Sequence, residues 1–203
     1  MNEATQSTFD KSYLNYQQNR PWIRKIVRKI YFWQAQTLSL GKTIDFGCGI
    51  GEQLSRFPEG SIGLEINKET VKYCQSKGLN VLLYDSKVDD YALHNLIPNT
   101  HETFFISHVL EHLEDADVVL KKILTSCTRI GIQRVVIIVP CELGFKHDKT
   151  HHTFIDYDFI KSKGLLSFAG FEITKKGYFP LNFKSAGKFF TYNEFYVVFD
   201  KKQ

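Results

Sequence analysis

Short apolar runs alternate with amphipathic segments along most of the chain after residue 42. The apolar runs predict β-strands near residues 43–47, 61–65, 80–84, 103–107 and 134–139. Runs of this kind are typical of strands that are buried on both faces of a parallel sheet. The segments between them predict helices that cover those faces. The alternation therefore predicts an α/β fold.

Helical periodicity is clearest in three segments. A helix is predicted to begin at Pro21, because the missing N–H of proline costs nothing in a first turn. Residues 116–127 repeat apolar side chains at core spacing. Asp156–Ala169 predicts a further helix with Gly170 as its C-cap. Residues 1–19 are polar without a clear period, so a mobile or lid-like arm is expected there.

Two β-rich runs near the end of the chain, FEITKKGYF and EFYVVFD, predict a long antiparallel hairpin. With the five earlier strands they predict a Rossmann-like, seven-stranded mixed sheet. This sheet would be mostly parallel, with a terminal antiparallel hairpin and helices on both faces. A single compact domain is expected, in which residues 1–40 form an arm and a helix on the lid or substrate side and residues 41–203 form the α/β domain.

Composition narrows the class of protein only a little. The 203 residues are 43% hydrophobic and 24% charged, as in an ordinary soluble domain. No apolar run approaches the length of a membrane span, and the start of the chain lacks a signal-peptide layout. The four cysteines are scattered without a CxxC pair, so a reducing, cytoplasmic location is expected. The net charge of +4 permits an anionic partner without requiring one.

The stretch TIDFGCGIGE, residues 43–52, gives the clearest indication of a ligand-binding site. It begins as an apolar strand and turns through Gly47, Gly49 and Gly51. Glycine permits positive φ and a close approach of backbone N–H groups to a ligand. Glu65 ends the next predicted strand about twenty residues on, where an acid can hold ribose hydroxyls. The pair predicts a nucleoside-bearing cofactor.

Alternating βα units, a glycine turn after the first strand and a terminal hairpin together resemble the class I methyltransferases that depend on S-adenosylmethionine (SAM). DFGCGIGE, GLEIN, LYDS and FISHVLEHLED match four motifs of that family, and the resemblance covers nearly the whole chain. It is strongest to the subgroup that contains ubiquinone-pathway, glycan and small-RNA 2′-O-methyltransferases. The resemblance implies that residues 41–203 are a methyltransferase domain and that the cofactor is SAM.

The resemblance also implies which residues contact SAM. Asp45 and the first glycines would line its methionine end, Glu65 would accept from both ribose hydroxyls, and Ile66 would pack on the adenine. Asp85 would accept from the adenine amine, although it suits a turn equally well. Cys48 is also interpreted as a small buried filler. The implied cofactor-binding set is Asp45, Gly47, Cys48, Gly49, Glu65, Ile66, Asp85, Ser86 and Ser107.

Two histidine clusters are candidates for the chemistry. His108, Glu111 and His112 share one face if their segment is helical. With a histidine from the later run KHDKTHHTF, they form a candidate site for a divalent metal, as in some relatives of the resembled subgroup. The alternative is that Glu111 and His112 only cap and pack. Without a metal, His151 or His152 is the expected general base for an acceptor hydroxyl.

The sequence predicts SAM-dependent O-methylation of a small-molecule or glycan hydroxyl. Pro140–Cys141 lacks the surroundings of a catalytic Pro-Cys pair. The motif of nucleobase amino-methylating enzymes is missing after the fourth strand, which favours oxygen as the acceptor. Two alternatives stay open. One is an RNA 2′-O-methyltransferase that holds phosphates with the basic face of the first helix and with Lys175, Lys176, Lys184 and Lys188. The other is a SAM-binding protein that transfers nothing. The oligomeric state is not predicted.

Overall fold

A computed structural model describes residues 22–202, with side chains from residue 28 onward. The predicted arm of residues 1–19 lies outside this range. The helices of the described part are α1 (Trp22–Leu38), α2 (Lys68–Ser76), α3 (Ala116–Arg129), α4 (Glu142–His147) and α5 (Tyr157–Ser162). Its strands are β1 (Thr43–Phe46), β2 (Ile62–Glu65), β3 (Val81–Leu83), β4 (Thr103–Ser107), β5 (Arg134–Pro140), β6 (Ser167–Phe168), β7 (Phe171–Phe179) and β8 (Glu194–Lys201). Short 3₁₀ helices span Leu54–Arg56, Leu110–His112 and Lys184–Lys188.

The strands form one mixed sheet in the order β3-β2-β1-β4-β5-β8-β7-β6. β1 to β5 are parallel, whereas β8 is antiparallel to both β5 and β7. The predicted Rossmann-like α/β fold with a terminal hairpin is therefore confirmed. The predicted count of seven strands is wrong, because Ser167–Phe168 pairs with the start of β7 as an eighth, edge strand. The strand order reverses between β1 and β4, where such sheets bind ligands.

The helix predicted over Asp156–Ala169 ends early. Gly164 adopts a φ of +69°, and the amide of Leu165 donates to the carbonyl of Ile160. This hydrogen bond closes a helix end. Gly170, the predicted C-cap, lies instead in the two-residue turn between β6 and β7. Of the apolar residues that suggested a longer helix, Leu165 and Leu166 precede β6, Phe168 lies in β6 and Ala169 lies in the turn.

Helices were also expected in two places where the structure has none. After the glycine turn the chain forms only the 3₁₀ helix Leu54–Arg56, because six residues separate Gly51 from Pro58. Residues 84–102, between β3 and β4, form turns. Four non-glycine residues there adopt positive φ, which a continuous right-handed helix excludes. They are Asp90, Tyr91, Leu93 and Asn99.

Alternate side chains of the central strands point to opposite faces of the sheet. On one face, Phe104 and Ile106 pack with the buried side of α3. On the other, Phe105 packs in a cluster with Ala35 and Leu38 of α1. Helices thus cover both faces, as predicted, and the carboxyl edge of the sheet carries the polar residues described next. Within residues 22–202, no helix has the length and apolar character needed to cross a membrane.

Candidate cofactor and active site

The turn after β1 depends on its glycines. Gly47, Gly49 and Gly51 have φ values of +73°, +54° and +75°. A Cβ on Gly47 would lie 2.5 Å from Cγ2 of Val109, so a side chain there would be both strained and crowded. The amide of Gly47 donates to the carbonyl of Leu64 at 2.8 Å. The turn is therefore tied to the end of β2.

Glu65 is held at the end of β2 by two backbone amides. Its Oε2 accepts from the amide of Gly49 and its Oε1 accepts from the amide of Asn67, both at 2.9 Å. Asn67 also caps α2, since its side chain accepts from the amides of Glu69 and Thr70. Burial raises the pKa of Glu65, while these hydrogen bonds act in the opposite direction. The carboxylate is thus fixed between the glycine turn and the start of α2.

Asp45 is the second acid of this region. It is 3% exposed, and its Oδ2 has no hydrogen-bond partner among the described residues. Burial, with a smaller contribution from Glu65, raises the pKa of Asp45 to about 7. A buried carboxylate with a free oxygen is costly unless a donor or a cation reaches it. The free oxygen of Asp45 is therefore open to a ligand that donates a hydrogen bond or carries positive charge.

The other implied cofactor residues differ in their surroundings. Ile66 follows Glu65 and is half exposed, so its side chain is free to cover a planar ring. Oδ1 of Asp85 accepts from the amides of Lys87 and Val88, which makes it a turn residue in this structure. Ser86 is partly buried next to it.

Cys48 packs against the sheet. A Cβ on Gly63 would lie 2.5 Å from its Sγ, so the thiol fills the space over β2. Burial raises the pKa of this thiol far above its ordinary value. This geometry agrees with the interpretation of Cys48 as a filler.

Tyr31 of α1 covers the end of β4, a role that the sequence pattern did not reveal. Its hydroxyl hydrogen-bonds to Oγ of Ser107. Its ring centroid lies 5.9 Å from that of His108 and 5.4 Å from that of Phe179. Burial raises the pKa of Tyr31 well above its ordinary value. The side of α1 that faces the sheet thus helps to close the site.

His108 stands directly after β4 and lies between two buried carboxylates. Its Nδ1 is 3.2 Å from Oε1 of Glu111, and its Nε2 is 3.6 Å from Oε1 of Glu194. Its φ of +55° is uncommon for a residue with a side chain. The segment that follows is a 3₁₀ helix, so His108 does not share an α-helical face with Glu111 and His112.

Glu194 was not among the residues that the sequence pattern indicated. It is the first residue of β8, and β8 runs antiparallel to β5, so Glu194 pairs with Pro140 at the carboxyl edge. Burial raises the pKa of Glu194 to about 7, and His108 opposes this shift. Its Oε2 has no partner among the described residues. The sequence feature that could have indicated Glu194 is a single acid at the start of the apolar strand EFYVVFD.

The structure brings Glu111, His112 and His151 together. One ligand atom from each lies within 4.8 Å of the others, and the two imidazole centroids are 4.7 Å apart. Nδ1 of His151 is 2.9 Å from the carbonyl of Phe145, and Nδ1 of His112 is 3.2 Å from that of Thr150. If each Nδ1–H donates to that carbonyl, each Nε2 keeps its lone pair for a metal, although Nε2 of His151 also lies 3.9 Å from Oδ2 of Asp148. Oε2 of Glu111 is buried without a hydrogen-bond partner among the described residues.

The remaining predicted base, His152, is arranged differently. Its side chain is exposed, while its amide donates to the carbonyl of Glu111 at 2.8 Å. The ring of His151 is 7% exposed and stacks on that of Phe145. The backbone of His152 therefore holds this loop against Glu111, and His151 supplies the inward imidazole.

Parallel strands with an antiparallel hairpin, a glycine turn and an acid at the end of β2 define the fold of the class I SAM-dependent methyltransferases. The class assigned from the sequence is thus confirmed at the level of the fold. Residues 34–153 match the model of the family described as methionine biosynthesis protein MetW, and the chain belongs to this family. No curated protein matches the sequence.

Several solved structures share the fold. A SAM-dependent methyltransferase from Archaeoglobus fulgidus is 20% identical, with 95% of this chain and 100% of that chain covered and a TM-score of 0.67. Magnesium protoporphyrin IX methyltransferase (ChlM) from Synechocystis PCC 6803, with bound SAH, is 15% identical, with 98% and 99% covered and a TM-score of 0.67. N-methyltransferase NodS from Bradyrhizobium japonicum WM9 is 10% identical, with 91% and 99% covered and a TM-score of 0.61.

Proposed function

We propose that the protein is a SAM-dependent methyltransferase that methylates a hydroxyl of a small molecule or glycan. The observation that carries this proposal is the pair of acids at the glycine turn. Glu65 is fixed by the amide of Gly49, and Asp45 keeps a free buried oxygen beside it. SAM carries a sulfonium and an ammonium group, so it supplies the positive charge that this region lacks.

Each acid has a defined task in this proposal. Asp45 accepts from the ammonium group of the methionine end, and Glu65 accepts from the ribose hydroxyls. Ile66 covers the adenine ring. Tyr31 closes the site from the side of α1. Methyl transfer from a sulfonium is an in-line displacement, so these residues act chiefly by positioning the reactants and by excluding water.

The cluster of Glu111, His112 and His151 supports the activation of an oxygen acceptor. Its donor set fits a divalent transition metal, because two imidazoles and one carboxylate suit zinc, iron or manganese better than magnesium. Both imidazoles lie close to backbone carbonyls through Nδ1, the usual support of a histidine ligand. Bound there, such a metal is a Lewis acid that favours the alkoxide of a nearby hydroxyl.

In this proposal the three residues of the cluster hold the cation. Glu111 supplies the buried negative charge, and the loop that carries His151 is tied to the carbonyl of Glu111 through the amide of His152. Without a cation, Nε2 of His151 is the proton acceptor for the hydroxyl. His152 does not have this geometry, since its ring is exposed.

The test is to incubate the protein with SAM labelled in the methyl group and a fractionated metabolite extract. Parallel reactions contain manganese, zinc, magnesium or a chelator. The expected result is a labelled product whose label resists mild hydrolysis, which excludes a methyl ester. Hydriodic acid should release the label as methyl iodide under the conditions that cleave an ether methyl and leave an N-methyl group, and the yield should fall with the chelator. Tight binding of SAM without a labelled product in any fraction would contradict the proposal.

A second candidate function is a SAM-binding regulator that transfers no methyl group. The observation in its favour is the description of the matching family as a methionine biosynthesis protein. SAM is made from methionine, so a protein that binds SAM can report the supply of methionine. The same labelling experiment separates the two functions. The RNA hypothesis gains no support from Lys184, whose ammonium group already lies 3.0 Å from Asp158 and 3.2 Å from Asp156.

A further inference from the structure

The carboxyl edge of the sheet holds more buried negative charge than SAM requires. Glu111 and Glu194 are buried, and each has an oxygen without a partner among the described residues. His108, which carries a positive charge when its ring is protonated, lies between them. Among the side chains from residue 28 to residue 202, no lysine or arginine forms an ion pair with either glutamate. Buried carboxylates of this kind need a donor or a cation.

The position of Glu194 separates it from the cofactor acids. β8 is three strands from β1 in the order β1-β4-β5-β8, a distance of about 14 Å at the usual strand spacing. In the proposed function Asp45 on β1 serves the methionine end of SAM, whereas Glu194 lies beyond β4 and β5. A group bound at Glu194 would therefore lie away from the methionine end of the cofactor.

The two oxygens of Glu194 have different surroundings. Oε1 lies 3.6 Å from Nε2 of His108, beyond a direct hydrogen bond. Oε2 has no partner among the described residues. Asn193 cannot fill this gap, because its Oδ1 accepts from the amide of Leu181 and its Nδ2 lies 3.8 Å from Sγ of Cys141. The side chain of His108 is 40% exposed, so the ring that faces Oε1 of Glu194 also reaches solvent.

We propose that Glu194 binds a protonated amine of the acceptor, so that the acceptor is a cationic amino alcohol. The proposal rests on the proposed methyltransferase function and names its substrate class. The ammonium group would donate to Oε2 of Glu194, and the hydroxyl would lie toward Glu111 and the sulfonium. Burial raises the pKa of Glu194 to about 7, and a bound cation would lower it again.

The side chains around Glu194 favour an ammonium group as the partner of its Oε2. The ionisable side chains that act on it or that it acts on are His108, Glu111, Tyr31 and Cys141. Tyr31 is bound to Ser107, and burial raises the pKa of the Cys141 thiol to about 12, so neither supplies a positive charge. His108 faces Oε1 of Glu194 and Oε1 of Glu111, so its single positive charge cannot balance both carboxylates. A neutral hydroxyl at Oε2 would add no charge, whereas an ammonium would donate to Oε2 and supply the second positive charge.

The test separates the labelled products of the wild-type protein by charge. Products formed from methyl-labelled SAM and a metabolite extract are passed over a cation exchanger at neutral pH. Unreacted SAM is itself cationic and is retained, so a reaction without protein identifies its label. The proposal expects a labelled product other than SAM in the retained, cationic fraction. Labelled product confined to the neutral and anionic fractions would overturn this inference and leave the proposed methyltransferase intact. A failure to form any labelled product would overturn both.

Glu194→Gln tests the residue itself, because it keeps the size of the side chain and removes the charge. The variant should bind SAM like the wild type and should raise the KM for the retained acceptor about 10- to 100-fold, the cost of one charge-assisted hydrogen bond. Glu172→Gln, at an exposed position of β7, is the control. An unchanged KM in Glu194→Gln would overturn the inference.

Discussion

Oε2 of Glu65 accepts a hydrogen bond from the amide of Gly49 at 2.9 Å. This contact joins the end of β2 to the turn after β1, so two sequence motifs that lie about sixteen residues apart form one ligand surface. Glu65, at the end of β2, is therefore part of the same ligand-binding surface as the glycine turn. Gly49 has a φ of +54°, a conformation that glycine adopts without strain, and this conformation presents its amide to Glu65.

Gly47→Ala should lower the affinity for SAM, in addition to the loss of stability that an alanine with positive φ causes anywhere in the chain. Positive φ costs an alanine about 1 kcal/mol, and the new Cβ would meet Val109 at 2.5 Å. Gly78→Ala is the matched control, because Gly78 has a φ of +77° and open space around it. Both variants should show a lower Tm, and only Gly47→Ala should lose affinity for SAM in a calorimetric titration. Equal affinities in the two variants would contradict a role of this turn in binding.

Glu194→Gln should become more stable relative to the wild type as the pH rises. The pKa of Glu194 is raised to about 7, so the folded protein holds a proton that the unfolded chain releases at lower pH. The bound proton stabilises the folded wild type at low pH, and the free energy of unfolding of the wild type therefore falls as the pH rises from about 5 to about 8. The difference between variant and wild type should grow by on the order of 1 to 3 kcal/mol across this range.

The difference between the two proteins is the informative quantity here. Burial lowers the pKa of His101 and of His112, which makes stability rise with pH in the same window. Both histidines are present in the wild type and in Glu194→Gln, so their effect cancels. Urea unfolding at several pH values measures the difference. A difference that stays constant with pH would show that Glu194 is ionised in the folded protein throughout.

His151→Ala should abolish high-affinity binding of manganese or zinc. The structure supports a ligand set of Glu111, His112 and His151, whereas the sequence favoured His108 as the partner of the first two. His108→Ala should therefore retain most of the affinity. His147→Ala, at an exposed position in the same segment, is the control. Affinity should also fall at acidic pH, because histidine ligands must be neutral. Loss of affinity in His108→Ala with retention in His151→Ala would reverse the assignment.

The fold was largely predictable because apolar runs report burial directly. Each of the five parallel strands and the terminal hairpin appears where the pattern placed it. The errors came from backbone conformations that side-chain patterns do not report. Gly164 ends α5 early, and positive φ at Asp90 and Tyr91 keeps the segment before β4 out of a helix.

Within the candidate site, the sequence indicated only those residues that belong to a local motif. The glycine turn and Glu65 are close in sequence, and both lie at the carboxyl edge of the sheet. Tyr31 and Glu194 reach this edge from the first and last elements of the described chain. The positions of these two side chains depend on the packing of α1 and on the register of β8. A local sequence pattern reveals neither. The grouping of His151 with Glu111 and His112 depends on tertiary contacts in the same way, so the sequence indicated only that a histidine of the later run could join them.

The most direct test of the account is a calorimetric titration of the protein with SAM. Wild type should bind SAM with a micromolar or lower Kd. Glu65→Gln should bind at least about tenfold more weakly, since it loses a charge-assisted contact to the ribose. Glu59→Gln, which alters an exposed acid just before the other end of β2, should bind like the wild type. No binding of SAM by the wild type, or equal binding by all three proteins, would contradict the account.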